Sequence, residues 1–171
     1  MYDITQNRGW VNAGVSCDTA EFAVNSIRGW RNEMGKIRYP NAKKIYVMAD
    51  CGGSSGYRTG LWKTELQKLS AELSVEIHVS HFPPGTSKWN KIEHRMFSFI
   101  SRNWRAKPLT DYMTIISLIS STETDNGLKI KAVLDNTVYE KGKKISDEEF
   151  DRINIYKYKF HGEWNYKISP K

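Results

Sequence analysis

The chain has 171 residues, enough to bury the core of one domain. A net charge of +7 favours a polyanionic partner without proving one. Two cysteines, Cys17 and Cys51, exclude a disulfide framework and a zinc array; no membrane-length apolar run and no signal-peptide hydrophobic region occur, so a cytoplasmic protein with no membrane partner is expected.

Taken in order, weak alternation predicts a strand over 10–16 after the Asn7-Arg8-Gly9 turn. Asp18-Thr19-Ala20-Glu21 has capping-box spacing, with Asp18 as N-cap. The helix that follows places Ala23, Ile27, Trp30 and Met34 on one stripe, and Gly35 is expected to close it. Residues 43–49 read as a central strand, apolar on both faces and ending at Asp50. A glycine-serine turn over 52–56 leads into an amphipathic helix over 57–73, with Trp62, Leu66, Leu69 and Leu73 inward. A third strand over 75–82 is stopped by Pro83-Pro84, because proline cannot donate to a sheet ladder.

Gly85 then turns the chain, and Thr86 or Ser87 is positioned to cap a helix over 88–104. That helix carries Asn90 and Glu93 on one face, studded with Lys88, Lys91, His94, Arg95, Arg102 and Arg105. A helix over 110–121, a strand over 128–134, a capping box at Ser146-Asp147-Glu148-Glu149 and a hairpin turning at His161-Gly162 complete the chain. Alternating strands and helices predict an α/β sheet with helices on both faces.

The stretch Pro83-Pro84-Gly85-Thr86-Ser87-Lys88-Trp89-Asn90-Lys91-Ile92-Glu93-His94 resembles the final acidic motif of DDE-type insertion-sequence transposases, most closely the ISAzo-type branch. Ala49-Asp50-Cys51-Gly52-Gly53-Ser54-Ser55-Gly56-Tyr57-Arg58 looks like the second acidic motif of that branch, and the resemblance runs from about Tyr2 to Tyr166. It implies one ribonuclease-H-like catalytic domain over 1–171. Its mixed sheet would lack the first strands, since the first catalytic aspartate of the family lies upstream of this N-terminus. Asp50 and Glu93 then match the second and third metal-binding catalytic acids, with Asn90 supporting them. Lys88, Lys91, His94 and Arg95 become candidate DNA-binding residues. The implied partners are DNA and further copies of the chain, and the implied cofactor is Mg2+ or Mn2+, held weakly or not at all by two acids; no small-molecule cofactor is implied. The implied chemistry is metal-assisted DNA cleavage and strand transfer, with a non-catalytic remnant that binds DNA or self-associates as the alternative.

On spacing alone, Asp50 reads more readily as a strand-end residue capping the Gly52-Gly53 turn and Glu93 as a solvated helix residue; the resemblance reverses that order. The basic residues equally describe an ordinary solvated face. Lysines and aromatics mixed over 156–166 match single-strand binders, though a packed edge hairpin explains them more simply. Without the upstream strands, the 45–49 strand would expose an edge, to be filled by residues 10–16 or by a second copy.

Overall fold

Alternation of buried and exposed residues decides most strands of this chain, and helix caps decide where the connections end. The computed structural model describes residues 1–171 apart from the Ser87 side chain; the expected Ser87 cap therefore lies outside the described residues. Its strands form two mixed sheets rather than one. The chain divides into two units, Met1–Ser16 with Asn90–Val138, and Cys17–Trp89 with Tyr139–Lys171.

In the first unit, β1 (Tyr2–Asp3) pairs antiparallel with β2 (Arg8–Gly14). β2 in turn runs parallel to a later strand, Lys129–Asp135, with Arg8 opposite Lys129. This corrects the idea that residues 10–16 fill the edge beside 45–49. Gly9 sits where a Cβ would come within 2.6 Å of Met96 Sδ and 2.9 Å of Ile130 Cγ1, so any larger residue there would have to displace these two core side chains. Met96, Ile100, Ile119, Leu128 and Ile130 form the core of the unit.

In the second unit, α1 (Ala20–Trp30) buries Ala20, Val24 and Ile27. Its cap is Thr19 rather than Asp18: Thr19 is extended, and its hydroxyl accepts from Phe22 N at 3.2 Å. Gly35 does not end the helix. Its φ of −65° is helical, and the chain runs through a π turn, Arg31–Gly35, to Arg38. Gly35 is buried with Trp30 and Arg31 side-chain atoms 3.2 Å from where its Cβ would be, so it serves packing instead of termination.

β3 (Lys44–Ala49) and β4 (Glu76–His81) are parallel and joined by the crossover helix α2 (Gly60–Leu73). Trp62, Leu66 and Leu69 are buried beneath α2, each contributing about 1.5–3 kcal/mol through burial. The sheet continues through the C-terminal hairpin in the order β3-β4-Asn165–Ile168-Ile155–Lys157. β3 is thus an edge strand, not a central one. Lys44, Tyr46 and Met48 are exposed along it while Ile45 and Ala49 are buried, so helices cover one face of this sheet and the other is open. The Ser146–Glu149 capping box forms as expected, opening Asp147–Asp151.

Candidate active site

Asp50 follows the last residue of β3, and the chain there is fixed from below. β3 and β4 pair Ala49 with His81, and Phe82 N donates to Ala49 O at 2.9 Å. The buried His81 ring lies 3.0 Å through Nδ1 from the Asp50 carbonyl oxygen and 3.0 Å through Nε2 from Tyr166 Oη. Trp62 Nε1 lies 2.9 Å from the same Tyr166 oxygen. Donor chemistry fixes every proton of this chain. A carbonyl only accepts, so His81 Nδ1 donates to it. The neutral ring then accepts at Nε2 from the Tyr166 hydroxyl, whose oxygen accepts from Trp62, a donor only. Burial holds the His81 imidazole below its ordinary value, partly opposed by its bond to the Asp50 carbonyl. Burial likewise pushes the Tyr166 phenol upward. Both stay neutral, which the hydrogen-bond chain requires.

The turn after Asp50 uses Gly53 at φ +70°, where a Cβ would be strained, and opens the 3-10 turn Gly53–Ser55. Tyr57 follows, its ring 6.2 Å from His81 on one side and 6.2 Å edge-on to Trp164 on the other. Arg58 lies across the Tyr57 ring at 5.2 Å and donates through Nε to its hydroxyl at 2.8 Å. The half-buried Asp50 is therefore held by a strand end whose supports come from Trp62, His81 and Tyr166. In the sequence His81 merely flanks the motif that begins at Pro83. The signal for it was alternation: Ile77, Val79 and His81 share the buried face of β4, and a buried imidazole needs partners.

Glu93 is organised locally. Thr86 does not cap the helix; its hydroxyl donates to Pro83 O at 2.6 Å and closes the turn at Gly85. A 3-10 turn, Ser87–Trp89, precedes Asn90. Asn90 lies before the helix, not on it, and its Oδ1 accepts from Ile92 N at 3.4 Å while Glu93 N donates to Asn90 O at 3.2 Å. The expected shared face of Asn90 and Glu93 is thus a cap and its third helical residue. Glu93 opens a π turn, Glu93–Phe97, that runs into α3 (Ser98–Asn103). Such turns occur mostly as single bulges inside helices and often at functional positions. Met96 and Ile100 face the core of the first unit, and Glu93 is exposed.

Lys88, Lys91, His94, Arg95, Arg102 and Arg105 are all exposed. Arg95 also lines a cavity of about 300 Å³ with Tyr2, Asn7, Phe99 and Asn126. Asp50 belongs to the second unit, and Asn90 and Glu93 to the first. Among the described residues no group of three or more His, Cys, Asp or Glu side chains gathers at a metal-sized spacing. Carboxylate oxygens at a strand end and a first helical turn are nonetheless the donor type that magnesium or manganese takes.

The family model described as Rhodopirellula transposase DDE domain matches residues 1–170. The chain belongs to this family of transposase DDE domains. No curated protein and no solved structure matches it. No helix of this transposase domain is long and apolar enough to cross a membrane, among the described residues.

Proposed function

We propose that this transposase domain is ribonuclease-H-like and supplies Asp50 and Glu93 as two acids of a divalent-metal site for DNA cleavage and strand transfer. The observation that carries the reading is the family match across residues 1–170, which takes in both acidic motifs. When bound, Mg2+ or Mn2+ would activate a water or a 3′-hydroxyl and stabilise the leaving oxygen of an in-line phosphoryl transfer. Asp50 and Glu93 would hold it. His81 acts as a positioning residue, fixing the Asp50 backbone so that the carboxylate leaves the strand in one direction. Asn90 fixes the first turn of the Glu93 helix. Lys88, Lys91 and Arg95 offer exposed cations to duplex phosphates, and His94 an exposed ring nitrogen for a hydrogen bond.

The first acid of the family is assigned to no residue of this chain; Asp18 precedes the Thr19 cap of α1, and Asp3 Oδ1 accepts from Thr5 N and Gln6 N in a tight turn. We therefore propose weak metal binding by residues 1–171 alone. Manganese titration followed by paramagnetic broadening of amide resonances tests this. Weak broadening confined to the neighbourhoods of Asp50 and Glu93, and removed by Asp50→Asn or Glu93→Gln, is expected. Broadening elsewhere, or unchanged in both variants, rejects the assignment.

The alternative is a non-catalytic remnant acting only as a DNA-binding or self-associating domain, and the β3 edge favours its self-associating form. Glu76 N donates to Lys43 O and Phe82 N to Ala49 O, so odd-numbered β3 residues turn their peptide groups toward β4. Lys44, Tyr46 and Met48 turn theirs to an edge that has no strand partner among the described residues. Such an edge templates pairing with another strand. Sedimentation across a concentration series, with magnesium-dependent strand transfer measured on the same preparation, separates the two readings.

A further inference from the structure

The open face of the four-stranded sheet in the second unit is aromatic and cationic, unlike a core face awaiting an apolar cover. Tyr46 is 64% exposed and Tyr156 is 54% exposed. The register aligns Tyr46, His78, Lys167 and Tyr156 in one row across four strands, with Met48, Ser80 and Asn165 in the next. Two of the rings are pinned along the surface. Tyr46 Oη donates to Ser80 Oγ at 2.7 Å. Ser80 lies on the neighbouring strand two residues beyond the register partner of Tyr46, so the ring must lean over the sheet to reach it. Tyr158 arrives from the opposite edge. Its hydroxyl lies 2.7 Å from His78 Nδ1, and the two rings are 24° from parallel with centroids 6.3 Å apart. His78 Nε2 lies 3.3 Å from the Glu76 carboxylate, so Nε2 carries the proton and Nδ1 accepts from Tyr158.

Cations frame these rings. Lys44 and Lys167 both approach Glu76, at 3.7 Å and 2.7 Å, and two lysines against one carboxylate leave a net positive charge. The Lys167 bond pulls Glu76 down to about 2, so this carboxylate stays ionised and both lysines stay aligned at the surface.

We propose that this face is a stacking platform for the unpaired bases of single-stranded nucleic acid, with Lys44 and Lys167 meeting the phosphates. Every base has a π face, so pinned aromatic rings beside lysines bind single strands with little sequence preference. Rings already held by their hydroxyls lose little rotamer freedom on binding. A second copy docked face to face across a two-fold axis fits less well, because it would bring two faces of the same net positive charge together. The platform is independent of the metal site, and its binding survives a catalytically silent chain.

The test is fluorescence anisotropy on the full chain with a labelled oligothymidylate and a labelled duplex. Tyr46→Ala and Tyr158→Ala are each expected to weaken single-strand binding about ten-fold while duplex binding holds. Tyr46→Phe keeps the ring and retains most of the affinity. On wild-type protein, oligothymidylate is expected to shift the ring-proton resonances of Tyr46 and Tyr158 upfield, a readout that needs no variant. The proposal falls if wild-type chain does not bind the single strand, if the double alanine variant binds it unchanged, or if both DNA forms weaken equally. It also falls if sedimentation reveals a dimer that Tyr46→Ala dissolves, because the face would then belong to a second copy.

Discussion

The strand end at Asp50 and the helix start at Glu93 hold their acids by opposite means. Asp50 leans on side chains far away in sequence: His81, then Tyr166, then Trp62, each buried and each committed to one hydrogen-bonding role. Glu93 leans on its neighbours, with Asn90 as cap and a π turn that keeps Met96 in the core. Damage to the first arrangement therefore reaches stability and site geometry together. At the second, chemistry can be removed with the fold intact.

The contrast is broken most severely at Trp62. Trp62→Ala empties a fully buried position and strips Tyr166 of a donor; a loss of about 3–5 kcal/mol in urea unfolding is expected. Tyr166→Phe is milder in volume but leaves Trp62 Nε1 and His81 Nε2 without their partner, at about 1–3 kcal/mol. A stability unchanged by Tyr166→Phe would show that the chain of bonds does not support Asp50.

The same chain sets a pH dependence. The His81 imidazole titrates below its ordinary value, so the unfolded protein binds the extra proton first as pH falls. This contribution to stability is complete above about pH 6.5, declines below it, and levels off once pH passes the lowered folded value. Urea midpoints of wild type are expected to fall between about pH 7.5 and about pH 5.5, with a shallower slope in His81→Gln.

Asn90→Ala removes a cap and should cost about 0.5–2 kcal/mol, read by the same unfolding experiment. Glu93→Gln is the sharpest probe because its effect on stability is the smallest, within about 0.5 kcal/mol for an exposed side chain. If Glu93→Gln unfolds the first unit, the local account of that helix is wrong.

How much of this was legible beforehand follows the same division. Local patterns read well: the capping box at Ser146, the turn at Gly85 and the amphipathic stripe of Trp62, Leu66 and Leu69 all stand where the residues put them. Small shifts came from competing local chemistry, with Thr19 and Asn90 capping in place of Asp18 and Thr86. Non-local pairing did not read. Nothing near residues 10–16 announces that they run beside Lys129–Asp135, and an apolar run such as Ile45 to Ala49 looks the same in a central or an edge strand. The Trp62–Tyr166 bond spans 104 residues, beyond any periodicity.

The pairing of Arg8 with Lys129 carries a consequence for how the chain is made. Both units are assembled from separated stretches, interleaved along the chain. β2 leaves the ribosome before its parallel neighbour, which emerges roughly 6–24 seconds later at ordinary elongation rates of about 5–20 residues per second. Until then the nascent chain carries Trp10 and Val11 with a partner edge unfilled. Closing so long a loop before the parallel pair can form slows folding, as non-local contacts generally do. Synthesis of this domain thus has a built-in waiting period, during which β2 is a substrate for chaperones or for other unfinished copies of itself.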